Sequence, residues 1–195
     1  MSISAGDTNA GGTNVVSITG VTTIATITGS AGVDQITLGT DAIAATVTGG
    51  LGADVLTLTT STAIKVVVGA GESVMAAAAT ALTGDSVVTF TSTADTLSFG
   101  GPAGATANFA TATLANAAVA DFNALIALVN TAADTALTAT VKYAVITVGT
   151  ITTFATNNGL KYVIYDTNGD GDYTEGTDAI VQIGAVTIAA TDIVA

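Results

Sequence analysis

Oxygen-bearing side chains are concentrated in one stretch near the C-terminus of this 195-residue sequence. Five acidic residues fall between Asp166 and Asp178, in the run DTNGDGDYTEGTD. A D-x-N-x-D-G pattern can wrap carboxylate and amide oxygens around one hard cation, and its glycine permits the sharp turn that this requires. Calcium fits this set of oxygen ligands best. The sequence therefore predicts a calcium site with the ligands Asp166, Asn168, Asp170, Asp172 and Asp178.

The segments on either side of this run predict strands rather than helices. LKYVIY before it and DAIVQI after it are rich in β-branched and aromatic residues. Counting from Asp166, the twelfth position is Thr177, where a helix-flanked calcium loop would carry a bidentate glutamate. We therefore expect a calcium loop that joins two β-strands. The alternative is an acidic hairpin that stays solvated and binds no metal.

A second pattern of glycines and acidic residues recurs every twenty residues in the N-terminal half. It begins at Gly29, Gly49 and Gly69, as GSAGVDQI, GGLGADVL and GAGESV. Self-similarity at a short fixed period indicates a solenoid, in which each coil buries its face by stacking on the next coil. Weaker turns halfway between, at Gly20 and at residues 39–41, predict two strands per coil with turns on opposite sides.

The run GGLGADVLT at residues 49–57 fits the pattern G-G-x-G-x-D-x-U-x at every fixed position. This part of the chain resembles the RTX, or hemolysin-type, calcium-binding repeats, and the resemblance implies a parallel β-roll with calcium between the turns of adjacent coils. The chain departs from that family where Ser30 replaces the second glycine and where coils of twenty residues exceed the family's length. A solenoid with turn glycines that binds little calcium is the alternative. The ligands that the resemblance implies here are Asp34, Gly49, Gly50, Gly52 and Asp54.

The C-terminal part of the chain predicts one amphipathic helix and several strands. Apolar residues at helical spacing predict a helix over residues 113–136, capped by Thr111 or Thr113 and packed into a core by its apolar stripe. Further strands flank a predicted turn at residues 157–159. The order of helix, strands, acidic loop and short apolar tail over residues 111–195 resembles the C-terminal region of RTX-type proteins. That resemblance implies export by a bacterial type I secretion machine and an extracellular or cell-surface location.

Together these patterns predict a mainly β protein. Its N-terminal domain, residues 1–110, is expected to be a parallel β-roll or solenoid-like domain. A small β-rich domain with one amphipathic helix is expected at residues 111–195. The starting methionine and the tail DIVA favour a complete small protein, and MSISAGDTNA lacks the basic and apolar regions of a cleaved signal peptide.

The charge distribution excludes several classes of function. The net charge is −12 and the cations are Lys65, Lys142 and Lys161, so the clustered Lys and Arg that grip nucleic-acid phosphates are missing. No stretch is long and apolar enough to predict insertion in a membrane as a helix. Without His, Cys, Arg or Trp the usual catalytic bases and nucleophiles are missing, and we expect no enzyme activity. The remaining acidic residues are scattered rather than paired, as at Asp85, Asp95, Asp121 and Asp134.

Only 9% of the residues are charged, so few charges protect strand edges from pairing with another copy of the chain. The sequence therefore predicts a secreted calcium-binding structural protein that folds outside the cell. It is expected to assemble with copies of itself into fibres, a surface layer or a biofilm matrix. A calcium-stiffened adhesin or carbohydrate-binding module with cell-surface glycans as partners is the alternative, although four Tyr and five Phe are few for stacking on sugars.

Overall fold

The computed structural model describes residues 2–4, 12–19, 26–39, 46–58, 63–115, 118–152 and 155–195. Within these ranges the chain forms fourteen β-strands and one α-helix, so the protein is mainly β. Short 3-10 turns lie at Ala155–Asn157 and Ala190–Asp192. In chain order the elements are β1 (Ser2–Ser4), β2 (Thr13–Ile18), β3 (Thr26–Ser30), β4 (Val33–Leu38), β5 (Thr46–Gly50), β6 (Val55–Thr57), β7 (Lys65–Val67), β8 (Asp85–Val88), β9 (Thr96–Ser98), β10 (Phe109–Thr113), α1 (Phe122–Ala136), β11 (Tyr143–Thr147), β12 (Lys161–Tyr165), β13 (Ala179–Ile183) and β14 (Ile193–Val194).

Successive strands of the N-terminal half alternate between two sheets. The odd-numbered strands from β1 to β9 belong to a six-stranded sheet in the order β1-β3-β5-β7-β9-β14, and β2, β4, β6 and β8 belong to an eight-stranded sheet. All of these neighbours pair in parallel. Thr13 lies opposite Val33 and Thr26 lies opposite Thr46, so one twenty-residue repeat of the sequence corresponds to one coil of two strands. The predicted turns at Gly20 and at Thr40 lie outside the described residues.

The coils stack because alternate residues of each strand point into the space between the two sheets. In β4, Ile36 and Leu38 are buried, whereas Thr37 between them is exposed. Equivalent positions on neighbouring coils carry branched apolar side chains, which pack well on a pleated surface. The first core, between the sheets, includes Ile27, Val47, Val66 and Leu97 from one sheet and Ile36, Leu56 and Val87 from the other.

The C-terminal strands extend both sheets. β13 pairs in parallel with β8, β12 and β11 follow in antiparallel pairing, and β10 ends the eight-stranded sheet in parallel with β11. The last segment returns as β14, in which Ile193 lies opposite Leu97 of β9. Both sheets therefore contain strands from before and after residue 110, and the division into two domains at that residue stays a prediction.

Helix α1 covers the outer face of the C-terminal part of the eight-stranded sheet. It begins at Phe122, and its N-cap is Asp121, whose side chain accepts the Ala124 N–H. The predicted start at Thr113 was wrong because residues 109–113 pair with β11 as a strand, and this tertiary pairing overrides the helical spacing of the apolar residues. No helix within the described ranges has the length and hydropathy needed to cross a membrane. The buried apolar stripe of α1 contributes to a second core through Leu125, Ile126, Val129 and Ala133.

Candidate metal centre

The acidic loop, residues 166–178, connects the neighbouring antiparallel strands β12 and β13. Tyr165 at the end of β12 lies opposite Ala179 at the start of β13. The strand pairing therefore brings Asp166 and Asp178 to the base of the loop, where they are 1% and 0% exposed. The predicted position of this loop between two strands is confirmed.

Main-chain N–H groups hold these two carboxylates in place. Asp166 and Asp178 each accept two such bonds from the loop, at 2.5–3.1 Å. An ionised carboxylate has about four lone-pair positions, so each of the two keeps positions with which it can bind a cation. The donors are Gly169 and Gly171 for Asp166, and Thr167 and Thr174 for Asp178.

A third carboxylate, that of the exposed Asp170, lies close to this pair. Each of the three offers one oxygen, and these oxygens lie within 4.8 Å of one another. Calcium binds oxygen at about 2.3–2.6 Å, so ligands on opposite sides of one ion are about 5 Å apart. The spacing suits a single calcium ion, and no other group of three acidic side chains in the described ranges is as close.

The glycines of the loop permit this convergence. Gly169 and Gly171 have φ angles of +78° and +89°, which side chains disfavour. A Cβ added at Gly171 would lie 3.0 Å from the main-chain carbon of Thr138. The glycine of the D-x-N-x-D-G pattern is therefore required both for its backbone conformation and for close packing.

The other predicted loop ligands lie beside the cluster. Asn168 Nδ2 donates to Asp170 Oδ2 at 2.7 Å, and the Asp170 N–H donates to Asn168 Oδ1 at 3.0 Å. Asp172 is exposed, and its N–H donates to Asp170 Oδ1 at 3.0 Å. Glu175 accepts a bond from Asn130 of α1 at 2.7 Å, which ties the loop to the helix. Of the predicted acidic loop ligands, the structure brings together Asp166, Asp170 and Asp178. Asn168 is hydrogen-bonded to one of them, Asp170.

In this cluster, burial and neighbouring negative charge raise the pKa of a carboxyl group, and hydrogen bonds from main-chain N–H groups lower it. Burial raises the pKa of Asp178, and the charge of Asp166 raises it further. For the exposed Asp170 the N–H of Asp172 lowers the pKa. Lys142 Nζ lies 3.2 Å from Asp166 Oδ2, so among the described residues three carboxylates face one ammonium group. A divalent cation would relieve the remaining repulsion.

The coil turns hold a second set of carboxylates, the aspartate ladder (Asp34, Asp54 and Asp85). Asp34 and Asp54 occupy equivalent positions on adjacent coils, and Asp85 continues the row on the next coil, where Val55 lies opposite Ser86. The Asp34 N–H donates to Asp54 Oδ1 at 2.7 Å, and the Asp54 N–H donates to Asp85 Oδ1 at 3.1 Å. Each carboxylate thus connects its coil to the preceding coil.

Asp85 is the member of this ladder that sequence reasoning missed. It follows Asp54 at an interval longer than the twenty-residue period, because the chain between β7 and β8 is longer than in the earlier coils. A signal was nevertheless present in the sequence. Each ladder aspartate stands two residues before a buried apolar residue that points into the first core, namely Ile36, Leu56 and Val87.

Burial dominates the electrostatics of the ladder. It raises the pKa of Asp54 to about 7, against the opposing effect of the N–H bond from Asp34. Burial likewise raises the pKa of Asp85 to about 8, and the charge of Asp54 adds to that effect. Within the described residues, Asp54 Oδ2 is buried without a hydrogen-bond partner. These two carboxyl groups can therefore hold protons at a pH where an exposed aspartate is ionised.

Close stacking of the coils explains the predicted turn glycines. Gly50 and Gly52 have φ angles of +99° and +120°. A Cβ at Gly50 would overlap the carbonyl oxygen of Ser30 on the preceding coil, and one at Gly49 would overlap the Asp54 carboxylate. These positions are therefore restricted to glycine, at Gly50 by the contact with the preceding coil and at Gly49 by the aspartate of its own turn. Metal binding by Asp34, Gly49, Gly50, Gly52 and Asp54 stays a prediction.

The described residues thus include one loop in which three acidic side chains converge and one ladder in which three are stacked. Comparison of the chain with protein-family models and with curated protein sequences finds no match.

Proposed function

We propose that this chain is a secreted calcium-binding structural protein that folds and assembles with copies of itself outside the cell. The observation that supports this most strongly is the convergence of Asp166, Asp170 and Asp178 within 4.8 Å in the acidic loop. Three carboxylates this close repel one another until a cation binds between them. Calcium prefers oxygen ligands and tolerates flexible geometry, so it matches this set.

Calcium binding is coupled to folding because the ligands converge only when β12 and β13 pair. Asp166 and Asp178 stand at opposite ends of the loop, and the pairing of Tyr165 with Ala179 brings them together. A ligand that binds only the folded state stabilises it by about 2.7 kcal/mol at a hundredfold excess over its Kd. The chain lacks this contribution in the cytosol, where free calcium is scarce, and acquires it after export.

This coupling suits the type I route that the resemblance to RTX-type proteins implies. That route exports an unfolded chain and reads an uncleaved signal at its C-terminus. In the folded protein the tail forms β14, where Ile193 is 1% exposed and pairs with Leu97. Under this proposal, folding outside the cell orders this segment as the last strand of the six-stranded sheet.

The turns of the N-terminal coils support the same interpretation. Parallel coils of twenty residues, with glycine at their turns and Asp34 and Asp54 in adjacent positions, are consistent with a calcium-binding β-roll. Under this proposal Gly49, Gly50 and Gly52 add carbonyl oxygens to a second class of calcium site. Fibres, a surface layer or a biofilm matrix then form as sheet edges that carry few charges pair between copies.

A calcium titration of the purified protein tests the proposal. We expect circular dichroism to show a gain in ordered β-structure at millimolar calcium, and electron microscopy to show filaments or sheets that a chelator disperses. Asp166→Asn combined with Asp170→Asn should raise the Kd for calcium about tenfold or more, because two charges leave the cluster. Asp121→Ser is the matched control, since it also removes an acidic charge but keeps a good N-cap for α1.

The outcomes separate the two parts of the proposal. An unchanged titration curve in the Asp166→Asn/Asp170→Asn variant would remove the acidic loop as the calcium site. A calcium-loaded protein that stays monomeric at high concentration would contradict assembly and favour the adhesin or carbohydrate-binding module. Binding on a glycan array would then test that alternative directly.

A further inference from the structure

The eight-stranded sheet ends at β2 on one side and at β10 on the other. Within the described residues, no strand pairs with the outer side of either. Strand direction reverses between β13 and β12 and again between β12 and β11, and the other neighbours are parallel. Because two reversals cancel, β2 and β10 run in the same direction. A second copy, shifted perpendicular to the strands, would therefore continue the sheet by parallel pairing of its β2 with β10 of the first copy.

The free main-chain groups of β10 belong to three residues on one face of the strand, of which the first packs against the first core and the other two are exposed. The Asn108 carbonyl accepts N–H groups from the β11 side, and the Leu114 N–H donates to Thr147 on that same side. Main-chain groups alternate along a strand, so the groups of Phe109, Thr111 and Thr113 point to the free edge. Phe109 packs against the first core, and the other two side chains share its face.

The free main-chain groups of β2 belong to residues whose side chains lie on the outer face of the sheet. The carbonyls of Gly12 and Ile18 accept bonds from the β4 side, so the groups of Thr13, Val15 and Ser17 point to the free edge. Ile18 packs into the first core, which places these three side chains on the outer face. In a parallel pair, the residues whose main-chain groups bond across to the partner have their side chains on one face of the sheet in the first strand and on the other face in the second strand. The free edges of β10 and β2 meet this requirement.

An apolar groove beside β10 matches the outer face of β2. It has a volume of about 590 Å³ and lies between the strand and α1. Val15 on the outer face of β2 is 72% exposed, and Leu128 of α1 at the groove is 37% exposed. Pairing of β2 along β10 would bring Val15 beside an alanine of β10 and beneath α1. The groove is lined by Ala110, Ala112, Leu114, Leu128, Ala132 and Ala136, among others.

Neither surface carries a charged residue, although the chain has a net charge of −12. Two copies can therefore meet here without like-charge repulsion. We propose that β2 of a second copy of this chain pairs with β10 of the first and inserts Val15 into this groove. The contact is heterologous, so repetition gives an open filament rather than a closed dimer. Each copy adds eight strands, which corresponds to a repeat of about 38 Å along the sheet.

This inference rests on the self-assembly proposed above and specifies its surfaces. Val15→Lys places an ammonium group in the groove, and we expect assembly in millimolar calcium to require about tenfold more protein or higher. Val88→Lys is the matched control: Val88 is 40% exposed on β8, which has paired strands on both sides. It should assemble as the wild type does. Sedimentation and electron microscopy give the measurement, and circular dichroism confirms that each variant folds.

The acceptor edge is tested by Thr111→Pro, which removes an N–H that points to the free edge and leaves the bonds to β11 in place. Thr111→Val keeps that N–H and serves as the control. The proline variant should also need about tenfold more protein to assemble, since it can no longer donate to an incoming strand.

Mixing the two blocked variants gives the sharpest test. The Val15→Lys copy keeps an intact β10 edge, and the Thr111→Pro copy keeps an intact β2 edge. Each alone should be monomeric, and an equimolar mixture should give one-to-one dimers by light scattering. Three results would overturn this docking mode: a mixture that polymerises, a mixture that contains only monomers, or separate variants that each assemble at the wild-type concentration.

These results are distinguishable from failure of the proposed function. If wild-type protein assembles in calcium and both variants do the same, assembly stands and these surfaces are wrong. If wild-type protein stays monomeric, self-assembly and this docking mode are both wrong, while calcium binding by the acidic loop is decided by its own titration.

Discussion

The aspartate ladder and the acidic loop use the same side chain in opposite ways. In the ladder, residues distant in sequence stack one per coil, and the carboxylates of Asp54 and Asp85 each accept a main-chain N–H from the preceding coil. In the loop, carboxylates of one short segment converge, and their N–H donors come from the loop itself. The ladder therefore holds the coils in register, whereas the loop concentrates negative charge.

The difference shows that surroundings decide how an aspartate is neutralised. Burial raises the pKa of Asp54 and Asp85, so protons can neutralise these ladder groups near neutral pH. Asp170 in the loop is exposed, and the N–H of Asp172 lowers its pKa, so its charge persists. Under the proposed function a cation neutralises the exposed loop carboxylate, whereas Asp54 and Asp85 of the ladder can be neutralised by protons when no cation is bound.

The largest effect is expected from disturbing the contact between coils. Gly50→Ala combines a strained φ of +99° with a Cβ that overlaps the Ser30 carbonyl oxygen, and it should destabilise the fold by about 3 kcal/mol or more. Urea unfolding gives the measurement. Gly71→Ala is the control, because Gly71 has a φ of +75° but open space around its Cβ, and it should lose only about 1 kcal/mol. Equal losses would show that close coil stacking is unimportant.

The next effect concerns the hydrogen bond between coils. Asp85→Ala should destabilise the protein by about 2–3 kcal/mol, because it leaves the buried Asp54 N–H without its acceptor. Asp85→Asn keeps an acceptor oxygen and imitates the protonated carboxyl, so its loss should be less than about 1 kcal/mol. Thermal unfolding distinguishes the two, since each 1 kcal/mol shifts Tm by about 2–4 °C in a chain of this size. An asparagine variant as unstable as the alanine variant would contradict a protonated ladder.

A pH series separates the ladder from the loop. An unfolded aspartate titrates near about 3.9, whereas the folded pKa values of Asp54 and Asp85 are about 7 and about 8. The folded state therefore binds more protons between these values, and stability should fall as pH rises from about 4 to about 8. Tm measured with a chelator present should decrease over this range, and Asp85→Asn should decrease less steeply. A Tm that rises with pH, or a slope unchanged in the variant, would contradict the ladder's role.

The smallest effect is expected at the lysine beside the loop. Lys142→Gln removes the ammonium group 3.2 Å from Asp166, so calcium no longer competes with it and the Kd should fall about threefold or more. Lys161→Gln is the control, because Lys161 donates to Thr147 rather than to the cluster. Isothermal titration calorimetry measures both. A weaker affinity in the Lys142 variant would place the ion elsewhere.

Much of the candidate site could be predicted because its signals are local. The D-x-N-x-D-G spacing and the strand-forming flanks of the loop are properties of neighbouring residues, and Asp166, Asp170 and Asp178 do converge. Whether the carboxylate of Asp172 joins this group could not be predicted from spacing alone, since it depends on the path of the loop around Gly171; metal binding by Asp172 stays a prediction. Asp85 was missed because a longer connection shifts it out of the twenty-residue period.

The sequence by itself determined the repeat length, the glycine turns and the acidic loop, because backbone restrictions and alternation of apolar residues act over a few residues. Only the tertiary structure decided that residues 109–113 form a strand, that helix α1 begins at Phe122 and that the tail joins β9. It also decided that the two free edges of the eight-stranded sheet run in the same direction. These features depend on hydrogen bonds between strands far apart in the chain, and local sequence does not specify which distant strand a segment will pair with.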